Sequence, residues 1–430
     1  MTRKLLAFLI LPGLLLLTHA LPARSDATDA QPPISTLLPL FQTGMGWAAT
    51  EYTTGVAFGD VDGDGRDEVA VTRNALSGAR LFVFDDAAAG FAPLWTFGDS
   101  WGAGAYATSV AFGDVDGDGR DEIGLTRATS VNERAYVFDD ATAGFAIRTQ
   151  LGRAWGPAVH AIRIAFGDAD GDGQAEFAVA TNATSGPRVF VFGSAAETYA
   201  PLWDAGGDWG AAAVATSVAF GDSDGDDADE VGITRRHDSN TRIFLYDGDG
   251  AFLEGLGETW GAGSWATDIA FGNVDNDAAD EMGVTRRSGI NERAYVFDDA
   301  AADFATLARF GETWNQFAYA TAVAFGDVDG DGRDEVAVAR EVTINRRFFV
   351  YDDALAAEPF RELAGGGETW TGPEHATAIA LGNADDVTGA EVAVGRRAET
   401  GPRAWVFTRG WSVRLPLAIG KPPAEATPSP

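Results

Sequence analysis

The stretch Asp60–Val61–Asp62–Gly63–Asp64–Gly65–Arg66–Asp67–Glu68 decides the fold, because it recurs seven times along the 430 residues. Acids stand at its positions 1, 3, 5 and 9 and glycine at position 6, and a valine-rich run follows at once. In a tight loop the side chains at positions 1, 3 and 5 converge on one point. Glycine permits the positive φ of a sharp turn. Position 7 offers a backbone carbonyl, and position 9 closes the shell with a carboxylate. Such an all-oxygen shell suits Ca²⁺ better than Mg²⁺, which keeps more of its waters. A solvated acidic turn would explain one copy, whereas repetition at fixed spacing favours a cation.

The first residues of the seven copies are Asp60, Asp114, Asp168, Asp222, Asn273, Asp327 and Asn383, spaced 54, 54, 54, 51, 54 and 56 residues apart. A period near 50 marks a propeller or a solenoid. Each repeat holds four strand-like runs, which in the second copy are 107–112, 122–127, 134–138 and a weaker one around 145–150. Gly, Asp, Asn and Ser separate them. In the first run Thr108, Val110 and Phe112 share one face and Ala107, Ser109 and Ala111 the other. An alanine stands three before every anchor, which suits a crowded innermost strand. The pattern predicts an all-β chain folded as a seven-bladed β-propeller with four antiparallel strands per blade.

Ring closure is also legible. Pro39–Leu40–Phe41 lies as far ahead of Trp47 as Pro93–Leu94–Trp95 lies ahead of Trp101. The N-terminal segment is therefore expected to complete the last blade and remove a free edge. Pro416–Leu417 competes for that place. The domain reading is a signal peptide over 1–20, a flexible lead over 21–36, the propeller over 37–420 and a Pro-rich disordered tail over 421–430. Residues 1–20 combine Arg3 and Lys4 with an apolar stretch too short for a membrane span and a Thr18–His19–Ala20 cleavage site. The expected location is secreted, extracellular or on the cell surface, where calcium is typically millimolar. A net charge of −33 argues against nucleic acid and against adsorption to anionic lipid. No membrane insertion is expected. There is no cysteine, hence no disulfide framework.

The run Phe58–Gly59–Asp60, followed by Asp62, Asp64–Gly65 and Glu68–Val69–Ala70–Val71, resembles FG-GAP/VCBS repeats. These build the propeller at the N-terminus of integrin α chains and in many exported bacterial proteins. The resemblance covers about 38–410. It implies Ca²⁺ in the loop between the first and second strands of a blade, and a role in adhesion or recognition. Two departures stand out: the Gly-Ala-Pro part is missing, and position 9 is Glu in place of the usual Asp. Without the further domains of an integrin, its receptor function does not carry over.

Copies one, two, three and six are complete. Their candidate ligands are Asp60, Asp62, Asp64 and Glu68; Asp114, Asp116, Asp118 and Glu122; Asp168, Asp170, Asp172 and Glu176; and Asp327, Asp329, Asp331 and Glu335. Arg66, Arg120, Gln174 and Arg333 would add backbone carbonyls. Copy four keeps Asp222, Asp224, Asp226 and Glu230 but has Asp227 in place of the turn glycine. Copy five has Asn273, Asp275, Asp277 and Glu281 with Ala278 there, where positive φ suits it poorly. Copy seven has Val387 at position 5 and reads as metal-free. Calcium is expected in four loops, with the fourth and fifth copies weaker candidates and the ions structural in role.

The opposite face collects other residues. Thirteen before each anchor stands Trp, and twenty after it stands Arg, in all seven copies. Thirteen after it come Arg73, Arg127, Arg235, Arg286, Arg340 and Arg396. Eight before it come Tyr52, Tyr106, His160, Val214, Trp265, Tyr319 and His375. Aromatic rings stack on sugars, and guanidinium groups donate paired hydrogen bonds, so this face is a candidate for binding a glycan or a protein. The competing reading makes each Trp a wedge between blades with Arg stacked on it. The variable position eight before the anchor fits a lining surface better. A monomeric recognition module is the leading expectation. A polysaccharide lyase using His160, His375, Tyr and Arg is the enzyme alternative, and a surface-layer module is the structural one.

Overall fold

The structure, a computed structural model, describes residues 37–410 apart from 239, 343, 371–373 and 386. The expected signal peptide, lead and tail lie outside the described residues, as does Pro416–Leu417. The described chain forms twenty-eight strands and no helix. They make seven four-stranded antiparallel sheets arranged as blades of a ring. In blade one these strands are Tyr52–Gly59, Glu68–Asn74, Leu81–Phe84 and Pro93–Phe97, counted from the axis outward. Each first strand lies beside the first strands of the two adjoining blades, and Tyr52–Gly59 lies beside His375–Gly382 of blade seven. The ring closes as the N-terminal repeat fragment predicts. Leu37–Thr43 pairs with Ala404–Arg409 from Leu37 opposite Arg409 to Thr43 opposite Ala404.

The second strands carry the core. Val69, Ala70 and Val71 are almost fully buried, as are Ile123 and Leu125 in blade two. Covered by neighbouring blades on both sides, such strands read as continuous apolar runs. The first strands depart from strict alternation. Their register shifts between Ala107 and Ser109, leaving Thr108 in a bulge, and the same shift recurs in every blade. The bulged residue is put to use. Thr108 Oγ1 donates to the Ala161 carbonyl of blade three at 2.9 Å, and Thr377 Oγ1 does so to Thr53 of blade one at 2.8 Å.

Blades meet through the Phe-Gly pair ahead of six acidic loops and Leu381–Gly382 ahead of the seventh. A Cβ built on Gly113 would lie 2.4 Å from Phe166 Cβ of blade three, and one on Gly167 would lie 2.2 Å from Phe220 Cβ of blade four. Only glycine allows that approach, which is the physical content of the Phe-Gly dipeptide. The fourth strand of blade two starts later than the weak run at 145 suggests, at Ile147. Phe145 instead takes a left-handed φ of 56° and stacks on Trp95 of blade one at 4.7 Å.

Candidate functional site

The acidic loops lie on one face with the loops joining third and fourth strands. Asp60 organises its loop by accepting N–H bonds from Gly63, Asp64 and Gly65. Glu68 turns inward, and its Oε2 accepts from Val61 N at 2.8 Å. Carboxylate oxygens of positions 1, 3 and 9 come within 4.8 Å of one another: Asp60, Asp62 and Glu68; Asp114, Asp116 and Glu122; Asp168, Asp170 and Glu176; Asp222, Asp224 and Glu230. Several of these acidic groups could hold a metal ion. The Oε1 atoms of Glu68, Glu122, Glu281 and Glu335 are buried without a hydrogen-bond partner. Burial pushes Glu68 up to about 8 and Glu335 up to about 9. Orphaned, desolvated carboxylate oxygens facing further carboxylates fit a hard cation.

Position 5 behaves differently from expectation. Asp64 Oδ1 accepts the Arg66 N–H at 3.0 Å, and its other oxygen pairs with the Arg66 guanidinium. Arg120 and Arg333 likewise pair with Asp118 and Asp331. The same guanidinium groups reach the next turn on this face: Arg120 Nε lies 2.6 Å from Asp140 and Arg333 Nε 3.0 Å from Asp353. The altered copies also differ from one another. Asp227 accepts the left-handed conformation at φ 71°, whereas Ala278 escapes it and the positive φ stays at Asn276.

Position 8 was invisible as a functional position. Asp121 N donates to the Asp60 carbonyl at 2.8 Å, and Asp121 Oδ2 accepts from Asp60 N at 3.0 Å. Asp229 and Asp334 latch to Asp168 and Asn273 in the same way, and Asp67 latches to Asn383 across the closing seam. Four loops are bolted to their neighbours this way, and at the other three steps the backbone N–H of Ala175, Asp280 or Ala390 makes the bond, to Asp114, Asp222 or Asp327.

On the opposite face the structure sorts the repeated residues into three layers. Every repeated Trp stacks on an aromatic residue of its blade's third strand at 5.0–6.1 Å, as Trp101 does on Tyr136. Trp101 also meets Phe97 of blade one edge-on, so it is a wedge between blades. Arg73, Arg127, Arg235, Arg286, Arg340 and Arg396 lie over these Trp rings at 4.6–5.1 Å and are 4–9% exposed. Their Nε atoms donate to the carbonyl six residues on, Arg127 to Glu133 at 2.6 Å. This corrects the expectation that the six arginines line an open binding surface: they pack beneath it. The arginines twenty after the anchors are buried too, clamping backbone carbonyls. Arg134 donates to Gly152 at 2.7 Å and, in the incoming loop of blade three, to Val159 at 3.0 Å.

The residues eight before the anchors begin or adjoin the first strands and ring the channel mouth. Tyr106 is 40% exposed, and Tyr52, His160, Trp265, Tyr319 and His375 are half-buried. Beside them stand residues fourteen after the anchors: Asn74, Ala128, Asn182, Arg236, Arg287, Glu341 and Arg397. One step along a strand reverses the face, so the neighbours of the buried arginines point to the mouth. Sequence reasoning missed this set, although its variability from blade to blade was the available signal. Arg287 stacks on Tyr319 at 4.0 Å and pairs with Glu341 at 3.3 Å, and Arg397 stacks on Tyr52 at 4.9 Å. A cavity of about 680 Å³ opens here, lined by Arg287, Phe317, Tyr319, Glu341, His375 and Arg397 among others. Deeper in the channel, Arg163 of blade three reaches Asp268 of blade five at 3.1 Å. Asp268 also accepts from Ser217 Oγ at 2.7 Å and Val323 N at 3.3 Å. His160 and His375 do not converge: they sit in non-adjacent blades, and His160 Nδ1 lies 2.9 Å from the Thr129 carbonyl.

Together these features define a seven-bladed β-propeller with an acidic loop at the base of each blade. Residues 60–125 match the family described as FG-GAP-like repeat. That match runs from the acidic loop of blade one into the second strand of blade two, and over those residues the repeat is FG-GAP-like. No curated protein matches the chain. Among solved structures it is similar to Raptor of Chaetomium thermophilum, with a TM-score of 0.55 at 12% identity, covering 88% of this chain and 29% of that one. It is also similar to the Dos1 propeller, with a TM-score of 0.49 at 13% identity over 80% of this chain and 75% of that one. A rhamnogalacturonan lyase of Bacillus licheniformis gives a TM-score of 0.45 at 16% identity, covering 86% and 75%. The chain thus spans under a third of the Raptor chain, and identities this low speak to fold alone.

Proposed function

We propose that this chain is an exported, calcium-stabilised recognition module that binds a glycan or protein ligand at the channel mouth. Calcium would sit in acidic loops such as that of blade one, held by Asp60, Asp62, Glu68 and the Arg66 carbonyl, and by their counterparts in blades three and six. Its role there is to neutralise carboxylates that are otherwise buried against one another. One observation carries the recognition reading. The seven blades keep their Trp wedge and their Arg clamp unchanged, while the paired residues at the mouth differ in every blade. Packing explains the uniform positions and leaves the varied ones unexplained. Supporting it, apolar side chains stand exposed on the hairpins of the same face, with Leu76, Ile290 and Ile344 at 70%, 69% and 59%.

The test is a glycan and protein array probed with the calcium-loaded protein, repeated with Arg287→Ala and Arg397→Ala. A ligand retained by the wild type and lost by either variant, at unchanged Tm, supports the reading. A ligand bound equally by all three places recognition elsewhere, and the absence of any bound ligand counts against the module.

A further inference from the structure

The outer strand of every blade carries one bulged residue, and in six blades it is leucine: Leu40, Leu94, Leu202, Leu253, Leu307 and Leu363. In blade two the same place holds Arg148. Its guanidinium enters the acidic loop. Nη2 pairs with Asp116 at position 3 and lies 2.7 Å from Asp139 Oδ1, while Nε lies 3.7 Å from Glu122 Oε1 at position 9. A second departure from the repeat meets the first. The loops between third and fourth strands present Phe91, Phe145, Phe304 and Phe360 at left-handed φ, and blade three presents Tyr199 instead. The Tyr199 phenol interacts electrostatically with Arg148. Two substitutions in adjoining blades thus converge on one loop.

We infer that Arg148 is the built-in cation of the blade-two loop, so that this copy, complete in sequence, is held by a guanidinium rather than by a calcium ion. The inference rests on the calcium reading of the other loops. A leucine brings no charge, so the loops of blades one and three need a cation from solution, while in blade six Arg409 donates to the Asp329 carbonyl. In blade two the charge is already supplied between positions 3 and 9, and an entering Ca²⁺ would meet a like charge beside two of its ligands. Tyr199 and Asp139 hold the guanidinium there and oppose its departure.

The experiment compares wild type with Arg148→Leu, a change to the residue that six blades already carry. Calcium stoichiometry is read by titration calorimetry on chelator-stripped protein, with and without Asp114→Asn. The expected result is one more ion bound by Arg148→Leu than by wild type. Asp114→Asn should abolish that extra ion and leave the wild-type count unchanged. Equal counts for wild type and Arg148→Leu, with Asp114→Asn lowering both, would overturn the inference. If the wild type binds no calcium, the calcium reading of the other loops fails, and calcium-free Tm then decides. A lower Tm for Arg148→Leu supports the built-in cation, and an unchanged Tm overturns it.

Discussion

Phe58 packs on Gly382 so closely that a Cβ at 382 would lie 2.3 Å from Phe58 Cβ. The contact joins the first blade to the last, so it reports directly on whether the ring is closed. Gly382→Ala should destabilise the protein by about 1–3 kcal/mol, the usual result of forcing an added methyl into a packed contact. Gly46 has nothing within 4 Å of its built Cβ and serves as the control. Calorimetric Tm values for the two variants check this, and equal Tm values would deny the seam.

Burial of Arg340 under Trp314, with Cζ 4.6 Å from the ring, makes it a packing residue. Arg340→Met should lose the cation–π contact and leave the Arg346 carbonyl, now bonded at 2.7 Å, without its donor. The two losses together amount to about 2 kcal/mol. Blade three shows that the fold tolerates the loss, since Thr181 stands at that position. Urea denaturation measures the change. Loss of ligand binding at undiminished stability would restore these arginines to an open surface.

The channel pair between Arg163 and Asp268 gives a prediction of a different kind. The equivalent residues in other blades are small: Gly55, Ser109, Ser217, Ala322 and Ala378. Asp268→Ala strands a half-buried guanidinium and should cost roughly 3 kcal/mol. Adding Arg163→Ser should recover part of that, because the uncompensated charge goes with it. Denaturant midpoints of the single and double variants measure the coupling, and strictly additive losses would show that the two side chains do not interact.

Much of this was legible in the sequence, for reasons specific to repeats. The acidic nonapeptide set the period, the period set the number of blades, and Pro39–Leu40–Phe41 identified the closing strand. The Trp wedge could be read because all seven copies keep it. What escaped notice depended on a single residue's direction. Arg73 and Asn74 differ by one step along a strand, and only the register shows which of the two faces the mouth. The bulge at Thr54 and its counterparts hid that register, since it breaks the alternation that would have revealed it. Arg148 escaped because it lies in the weakest strand, thirty-four residues after its anchor. At position 5 the sequence shows Arg66 as a carbonyl ligand and hides the pairing of its guanidinium with Asp64.

The loop carboxyls also make stability depend on pH in a definite sense. Burial raises Glu68 to about 8, Glu176 to about 7 and Glu335 to about 9, from an ordinary value of 4.5. Between those values the folded chain keeps a proton that the unfolded chain has released. Stability of the calcium-free protein therefore falls as pH rises through that window and is fullest below it. Chelator-stripped protein should melt at a higher temperature at pH 5 than at pH 8. Calcium should remove most of the difference, because it binds the deprotonated carboxylates. A calcium-free Tm that rises with pH would contradict the sign.

The most direct test of the account is the thermal stability of chelator-stripped protein as calcium is added at neutral pH. Binding to the folded chain alone contributes about 2.7 kcal/mol per site at a hundredfold excess over Kd. With ions entering the loops of blades one, three and six, Tm should climb steeply and keep rising with calcium concentration, and magnesium should give far less. A Tm that stays the same from chelator to millimolar calcium would contradict the central claim that these loops are cation clasps.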